Sequence, residues 1–231
     1  MKEKELGHFP IDWNKKKLSE LFDFSIKPRG LNINDSDNIP FIPMESISEY
    51  SNKLKGWTIK KYKEISSGSF VFKGDLIIAK ITPCFENAKQ AILDNLPSKY
   101  GYATTEVWAI HPKNNGADKE FLFYYLKVSS VRKKLAQKME GTTGRQRLPR
   151  HVLENLLIPN PPLAEQKKIA AVLSAVQEAK EKTEEVIKAA KELKKSLMKH
   201  LFTYGPMSIK EAEKVKLKET EIGMIPEDWM L

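Results

Sequence analysis

The C-terminal third of the chain carries the longest regular pattern of hydrophobic and polar positions. From Ala164 to about Phe202 there is no Gly and no Pro, and apolar or small residues recur every seven positions in two rows that begin at Ile169 and Val172. These are the a and d positions of a heptad, so the pattern predicts one α-helix of about 39 residues, on the order of 60 Å long. A helix of this length needs a partner helix, and the alternative is a helix folded back on its own domain. The residues predicted to form a dimerisation stripe are Ile169, Val172, Leu173, Val176, Val186, Ile187, Ala190, Leu193 and Leu197.

The preceding segment mixes strand and helix patterns. Ser69–Ile81 contains two β-rich runs around a turn at Lys73-Gly74-Asp75, and Tyr100–His111 has the aromatic and β-branched composition of a strand. Asp118 is a predicted cap for an amphipathic helix that runs to about Glu140 and ends at Gly141. We therefore expect an α+β fold, with a globular domain of short strands and helices followed by one long coiled-coil-type helix.

A short internal repeat connects the two ends of the chain. The segment Glu5–Trp13 (ELGHFPIDW) returns as Glu221–Trp229 (EIGMIPEDW), with Glu, Gly, Pro, Asp and Trp at the same spacing and an offset of 221 − 5 = 216 residues. The sequence therefore predicts one complete repeat and the beginning of another. The expected division is a first domain at residues 1–163, the long helix at 164–205, and a linker with the start of a second repeat at 206–231.

The charge favours a polyanionic partner. The chain of 231 residues has a formal net charge of +9, and residues 1–163 carry 26 Lys+Arg against 18 Asp+Glu, so most of the excess lies in the first domain. Cys84 is the one cysteine, so an intrachain disulfide is impossible. Without an apolar run of membrane-spanning or signal-peptide length, a cytoplasmic location and no membrane association are the expectation.

Motifs for catalysis, metals and cofactors are missing from the sequence. Asn160-Pro161-Pro162-Leu163 resembles the N-P-P-[YF] signature of adenine methylation, but Leu163 offers no aromatic face for a flipped base. Asp75 with Lys80 only weakly approximates a nuclease centre, and the four histidines have no metal-ligand spacing. A phosphate-binding G-x-x-x-x-G-K-[ST] loop does not occur either. We expect a chain that is not an enzyme and that holds no cofactor and no metal.

Three polar segments are candidates for nucleic-acid contacts. Residues 80–89 change abruptly from an apolar strand to a polar loop, and residues 141–147 combine two Gly with Thr, Gln and two Arg, whose side chains suit base edges and phosphates. A third basic turn lies at Arg29-Gly30. The alternatives are an ordinary surface loop for the first segment, and a helix C-cap followed by a basic linker for the second. The residues predicted to contact DNA are Arg29, Lys80, Thr82, Asn87, Lys89, Thr142, Thr143, Arg145, Gln146 and Arg147.

These motifs together resemble the specificity subunits of type I restriction–modification systems. The resemblance covers about residues 5–231 and rests on Gly7-x-x-Pro10-x-x-Trp13, on residues 73–87, on residues 141–148 and, most specifically, on Pro161-Pro162-Leu163-x-Glu165-Gln166-x-x-Ile169-Ala170. In that family, two target-recognition domains and two antiparallel helices occur in tandem, and each domain binds half of a bipartite DNA site. This chain departs from the pattern by having one domain and one helix, which resembles a half-length form.

The resemblance implies a non-catalytic subunit that binds double-stranded DNA and directs other subunits to it. The implied partners are methyltransferase (modification) subunits and motor–nuclease (restriction) subunits. Two copies of the chain would restore the tandem arrangement, so a homodimer on an inverted-repeat site is expected. One alternative is a coiled-coil scaffold protein with an incidental basic surface. A stand-alone methyltransferase is a third hypothesis, disfavoured because a cofactor-binding loop is missing.

Overall fold

The computed structural model describes residues 10, 13–113, 116–142, 144–221 and 223–229. The chain divides into two compact units, residues 1–175 and residues 176–231. Two short 3₁₀ turns, Met44–Ser46 and Tyr62–Glu64, accompany the helices and strands of the first unit. In chain order, the first unit contains β1 (Asn14–Lys17), α1 (Leu18–Leu21), β2 (Phe22–Phe24), β3 (Asn38–Ile42), β4 (Thr58–Lys61), β5 (Ser69–Phe72), β6 (Leu76–Ala79), β7 (Gln90–Ile92), β8 (Tyr100–Ala103), β9 (Val107–Pro112), α2 (Lys119–Lys127), α3 (Ser129–Ala136), β10 (Glu140–Thr142), β11 (Arg145–Arg147), α4 (Arg150–Glu154), β12 (Leu157–Asn160) and the start of α5 (Leu163–Tyr204). The second unit contains the rest of α5, α6 (Ile209–Ala212), β13 (Leu217–Thr220) and β14 (Gly223–Pro226).

Two four-stranded sheets form the framework of the first unit. One has the strand order β2-β9-β6-β7 and is antiparallel throughout, and the other has the order β4-β3-β8-β5, in which β3 and β8 run parallel. The predicted turn at Lys73-Gly74-Asp75 is confirmed, and Gly74 supplies the positive φ of +89° that a β-carbon would disfavour. The strands on either side of this turn enter different sheets. The turn therefore carries the chain from one sheet to the other.

The single strand predicted over Tyr100–His111 is two strands. β8 ends at Ala103 and pairs with β3 and β5, whereas β9 begins at Val107 and pairs with β2 and β6. The intervening turn at residues 104–106 contains two threonines, which are β-branched and suit a strand, so the local composition could not locate the change of sheet.

Strand β6 is buried on both faces, which explains its uninterrupted apolar sequence. Leu76 and Ile78 contribute to a core cluster with helices α1–α4, while Ile77 faces a second cluster with Ile42 and Val107. Alternate side chains of a strand point to opposite faces, so a strand between two cores has no polar positions. This buried strand supports the loop that follows it at residues 80–89.

The helix predicted from Asp118 to about Glu140 is two shorter helices. The Asp118 cap is confirmed, since its carboxylate accepts from the Phe121 backbone N–H at 2.8 Å. The chain leaves helical geometry at Val128 (φ −63°, ψ 123°), and α3 ends at Ala136. The predicted end of the helix is also wrong, because Gly141 lies in strand β10.

Helix α5 confirms the long helix predicted from the heptad pattern, with bounds that differ by one or two residues at each end. Within the first unit its opening turns are anchored by Gln166, which is buried and accepts from the Asp118 backbone N–H at 2.9 Å. The Gln166 amide also donates to the Pro161 carbonyl at 2.8 Å and to the Asn160 side chain at 3.2 Å. The glutamine of the Pro-Pro-Leu-x-Glu-Gln motif therefore ties the helix start to its own domain.

In the second unit, α5 ends at Gly205, whose φ is +79°. The ring of Trp229 lies so close that a β-carbon at Gly205 would be 2.9 Å from its Cζ2 atom. The backbone N–H of Trp229 donates to the Pro226 carbonyl at 3.1 Å. In the first unit, the backbone N–H of Trp13 donates to the Pro10 carbonyl at 2.9 Å. The same backbone hydrogen bond from Trp to Pro thus occurs in both copies of the repeated string. The repeat residues Glu5–Phe9, Ile11, Asp12 and Ile222 lie outside the described residues.

Candidate DNA interface

The loop at residues 80–89 is a compact turn anchored from beneath by Phe85. Backbone hydrogen bonds join Phe85 N–H to the Ile81 carbonyl at 2.9 Å and Asn87 N–H to the Pro83 carbonyl at 3.0 Å. The Phe85 side chain is only 2% exposed and belongs to the core cluster under the first sheet. Because its hydrophobic residue points inward, the loop presents its polar residues at the surface.

The segment at residues 140–147 is a β-hairpin, so the alternative of a helix cap with a basic linker is wrong. Strand β10 pairs antiparallel with β11 in the register Glu140↔Arg147, Gly141↔Gln146 and Thr142↔Arg145. Gly141 has a φ of +132°, and a β-carbon there would be 2.6 Å from the Arg145 carbonyl oxygen. The position therefore needs glycine. Thr143, one of the predicted contact residues, lies outside the described residues.

The two segments meet to form one surface, which we call the two-loop surface and define as residues 80–89, 140–142 and 144–147. Thr82 N–H donates to the Gln146 carbonyl at 2.9 Å, and Gln146 N–H donates to Thr82 Oγ1 at 3.3 Å. A bridge between Ile81 and Arg147 continues the pairing. Residues separated by 64 positions in sequence are thereby held at fixed positions relative to one another.

Glu106 forms an ion pair with Arg147, one of the cations of this surface. Its carboxylate accepts two hydrogen bonds from the Arg147 guanidinium, at 2.9 Å from Nε and 2.5 Å from Nη2. These bonds and the positive charges of Arg147, Lys80 and Arg145 lower the pKa of Glu106. The same bonds and the negative charge of Glu106 raise the pKa of Arg147. Arg147 is thus held in a bidentate pair by its own domain, whereas Arg145 is exposed.

Lys80 is also held by the domain. Its Nζ lies 3.9 Å from the centroid of the Trp108 ring, and burial lowers the pKa of this lysine. The Trp108 indole donates to the Leu148 carbonyl at 3.0 Å, while Leu148 N–H donates to the Lys80 carbonyl at 2.7 Å. Sequence reasoning missed the roles of Glu106 and Trp108, because their hydrogen-bond partners Arg147 and Leu148 lie about 40 positions away in the sequence.

The other predicted contact residues fall into two groups. On the two-loop surface, Asn87 is exposed and donates to Glu49 Oε1 at 3.2 Å, and Lys89 donates to the Met44 carbonyl at 3.4 Å. Arg29 is exposed on a turn whose flanking residues pack elsewhere, beside the cluster of Ile39, Phe70 and Tyr102. The structure therefore does not join the Arg29 turn to the two-loop surface.

Asp75 is a buried structural carboxylate, and it does not pair with Lys80. It is 1% exposed and accepts from Ser25 Oγ at 2.5 Å and from the Phe72 backbone N–H at 2.8 Å. Burial raises the pKa of Asp75, and the two hydrogen bonds and His111 at 3.7 Å oppose the shift. The residue thus stabilises the turn between the two sheets. Within the part of the chain that the structure describes, three or more His, Cys, Asp or Glu side chains do not gather into a possible metal site.

The apolar stripe of helix α5 is exposed in each unit considered by itself. In the first unit, Val172 and Leu173 are exposed and Ile169 is half-buried. In the second unit the exposed members are Val176, Val186, Ile187, Ala190, Leu193 and Leu197. Among the described helices, α5 included, none is long and apolar enough to cross a membrane.

The family model for the type I restriction modification DNA specificity domain matches residues 10–192. The chain belongs to this family. It is 37% identical over 161 residues to the specificity subunit of the EcoAI type I restriction enzyme of Escherichia coli, an alignment that covers 69% of this chain and 27% of that subunit. It is 28% identical over 243 residues to the putative MjaX specificity subunit of Methanocaldococcus jannaschii, covering 99% of this chain and 53% of that one. The resemblance inferred from the Pro-Pro-Leu-x-Glu-Gln motif is confirmed.

Solved structures of this family share the fold. The HsdS subunit from Thermoanaerobacter tengcongensis superposes with a TM-score of 0.63 at 21% identity, covering 84% of this chain and 49% of that one. The S subunit of a type I system from M. genitalium superposes with a TM-score of 0.54 at 20% identity, covering 87% of this chain and 48% of that one. The predicted α+β domain followed by a long helix is thereby confirmed. This specificity-family chain spans about a quarter to a half of the length of the relatives that it matches.

Proposed function

We propose that the chain recognises a specific DNA sequence through the two-loop surface and directs methyltransferase and restriction subunits to that site. The observation that carries this proposal is the joining of two polar segments, 64 residues apart in sequence, through Thr82 and Gln146. Membership of the specificity family supports it. A recognition surface needs fixed donors and acceptors, and hydrogen-bonded loops hold such groups better than independent loops do.

Arg145 is the proposed centre of base recognition. It is exposed, and its cross-strand neighbour Thr142 adds a hydroxyl on the same face of the hairpin. An arginine fork can donate two hydrogen bonds to one guanine in the major groove. Arg147 and Lys80 are held by Glu106 and Trp108, so we propose that they position the surface and contact phosphates.

The test compares cognate and non-specific DNA binding. Duplexes bound by the chain from a random pool are expected to share a sequence motif, and that motif then serves as the cognate probe. We expect Arg145→Ala to weaken cognate binding by roughly 5- to 150-fold while non-specific binding changes little, because one bidentate base contact is worth about 1–3 kcal/mol. Arg29→Ala is the matched control that removes one exposed arginine from another turn. An equal loss of both kinds of binding in Arg145→Ala would make this residue a phosphate contact.

We also propose that two copies of the chain associate through helix α5 and bind a bipartite site with inverted halves. The exposed heptad stripe supports this, since a lone helix in water does not benefit from an apolar stripe. A two-fold axis relating two recognition domains would place two copies of one DNA half-site in opposite orientations. Sedimentation equilibrium over a range of concentrations is expected to give twice the chain mass of 26.4 kDa. A monomer at micromolar concentration, alone and with its methyltransferase, would remove the symmetric-site proposal.

The proposed role is non-catalytic. The Asn160-Pro161-Pro162 string does not form a methylation site in this proposal, because Pro161 and Asn160 both accept hydrogen bonds from Gln166. A coiled-coil scaffold would instead give only salt-sensitive DNA binding without sequence preference, so the selection experiment separates the two functions.

A further inference from the structure

Residue Arg132 is buried beneath the loop at residues 80–89, although it belongs to helix α3. It is 6% exposed. Its guanidinium donates from Nη1 to the Phe85 carbonyl at 2.5 Å, and from Nη2 to the Leu126 carbonyl at 2.7 Å and to Gln90 Oε1 at 3.0 Å. It also lies 5.1 Å from the centroid of the Phe85 ring. One side chain therefore connects helix α2, strand β7 and the centre of the loop.

This connection continues through Gln90, which is fully buried. Its amide donates to the Phe123 carbonyl at 2.6 Å while its oxygen accepts from Arg132. The loop begins after β6 and ends at Gln90, where Ala79 N–H donates to the Lys89 carbonyl at 2.9 Å. Its base is therefore closed by sheet pairing, and its tip is held by the bond from Arg132 to the Phe85 carbonyl.

Packing alone does not account for a guanidinium at this position. A hydrocarbon side chain of similar volume would fill the space without the cost of desolvating a charge. What the planar guanidinium contributes is a set of directional bonds to acceptors from three elements, which an ammonium group cannot match in geometry. The acceptor in the loop is a backbone carbonyl, so the contact fixes the path of the main chain at Phe85.

We infer that Arg132 is a positioning residue for sequence recognition, which sets the conformation of the loop at residues 80–89 without touching DNA itself. This inference rests on the proposed function of the two-loop surface. The neighbours of Phe85 in that loop include Asn87, which is exposed. A shift of the main chain at Phe85 would move the side chains that face the DNA. Cognate binding depends on their exact placement, whereas non-specific phosphate binding tolerates small shifts.

The test uses Arg132→Met, which keeps the length of the side chain, and Arg132→Lys, which keeps the charge. The matched control is Val71→Ala, a fully buried position in the second core cluster that lowers stability elsewhere. We expect Arg132→Met to lower cognate affinity by about tenfold or more and non-specific affinity by less than about threefold, with Arg132→Lys between it and the wild type. Val71→Ala should leave the ratio of the two affinities unchanged. An unchanged ratio in both Arg132 variants would overturn the inference and leave Arg132 as a packing residue.

Amide hydrogen exchange provides a second measurement that does not depend on DNA. In Arg132→Lys we expect the exchange of the Phe85 and Lys89 amides to accelerate by roughly tenfold, because loss of the guanidinium bond to the Phe85 carbonyl loosens the loop. The amides of the β3–β4 pair, which lies in the other sheet, should exchange as in the wild type. If Arg132→Met does not fold, Arg132→Lys alone decides the question. If the wild type lacks a cognate sequence, the proposed function fails, and the exchange data still report whether Arg132 holds the loop. Unchanged loop exchange would overturn the inference.

Discussion

The exposed stripe of helix α5 allows the homodimer proposal to be tested at single positions. Val186 and Leu193 occupy successive d positions and are 68% and 60% exposed. Leu193→Ala removes most of an apolar side chain and keeps a residue with high helix propensity. The helix should therefore persist in the variant while the proposed interface loses contact area.

The size of the effect follows from the exposed fraction of the side chain. Complete burial of a leucine side chain is worth about 1.5–3 kcal/mol, so burying the exposed part of Leu193 contributes about 1–2 kcal/mol in each copy. A symmetric dimer contains the residue twice, and the loss becomes about 2–4 kcal/mol. The dissociation constant of the dimer should rise by roughly 30- to 1,000-fold.

Sedimentation equilibrium measures this change directly, and circular dichroism checks that helix content is preserved. Lys195→Ala is the control, because Lys195 is exposed two positions further along the helix, outside the heptad rows. Its dissociation constant should stay close to that of the wild type. A Leu193→Ala dimer within about threefold of the wild type would refute the self-pairing role of the stripe, and so would an equal effect of Lys195→Ala.

Three further predictions concern the first unit. Glu106→Gln should lower the melting temperature at neutral pH, because Arg147 lowers the pKa of Glu106 and so stabilises the folded state. This stabilisation is present above the ordinary pKa of 4.5 and is lost as the pH falls, so the melting temperatures of the variant and the wild type should converge in acid; a constant difference at all pH values would contradict this. Asp75→Asn keeps an oxygen acceptor and removes a buried carboxyl group whose pKa is raised by burial. The melting temperature of this variant relative to the wild type should therefore increase as the pH rises above 3.8. A relative decrease would show that the folded protein prefers the ionised form. Gly141→Ala should destabilise the hairpin and reduce cognate DNA binding. Gly56→Ala is the control, because a β-carbon there meets nothing within 4 Å, and it should leave both stability and binding unchanged. Equal effects of the two substitutions would contradict the steric argument.

Patterns within one element were sufficient to predict several parts of this protein. The heptad rows and the lack of Gly and Pro predicted α5 to within two residues at each end, since a helix repeats its own geometry along the sequence. The Asp118 cap was predicted for the same reason, because a cap acts on residues only three positions away. The family was recognisable from several short motifs, most specifically the one around Gln166, although the buried hydrogen bonds of this glutamine could not be predicted from them.

Contacts between distant segments could not be predicted in this way. The break at Val128 falls inside an apolar pattern that suits one helix, and the Leu126 carbonyl that precedes it is satisfied by Arg132, which also binds a loop 47 residues away. Arg147 has a side chain that suits base recognition, but its pairing with Glu106 could be found only from the tertiary structure.

The sequence by itself determined the long helix, the family and the two polar segments of the candidate interface. Only the tertiary structure decided that these segments form one surface, that Glu106 holds Arg147, and that Arg132 supports the loop from beneath. The physical reason is that helix periodicity and capping depend on residues a few positions apart. The partner of a charged or buried polar group depends instead on how the sheets and helices bring distant residues together.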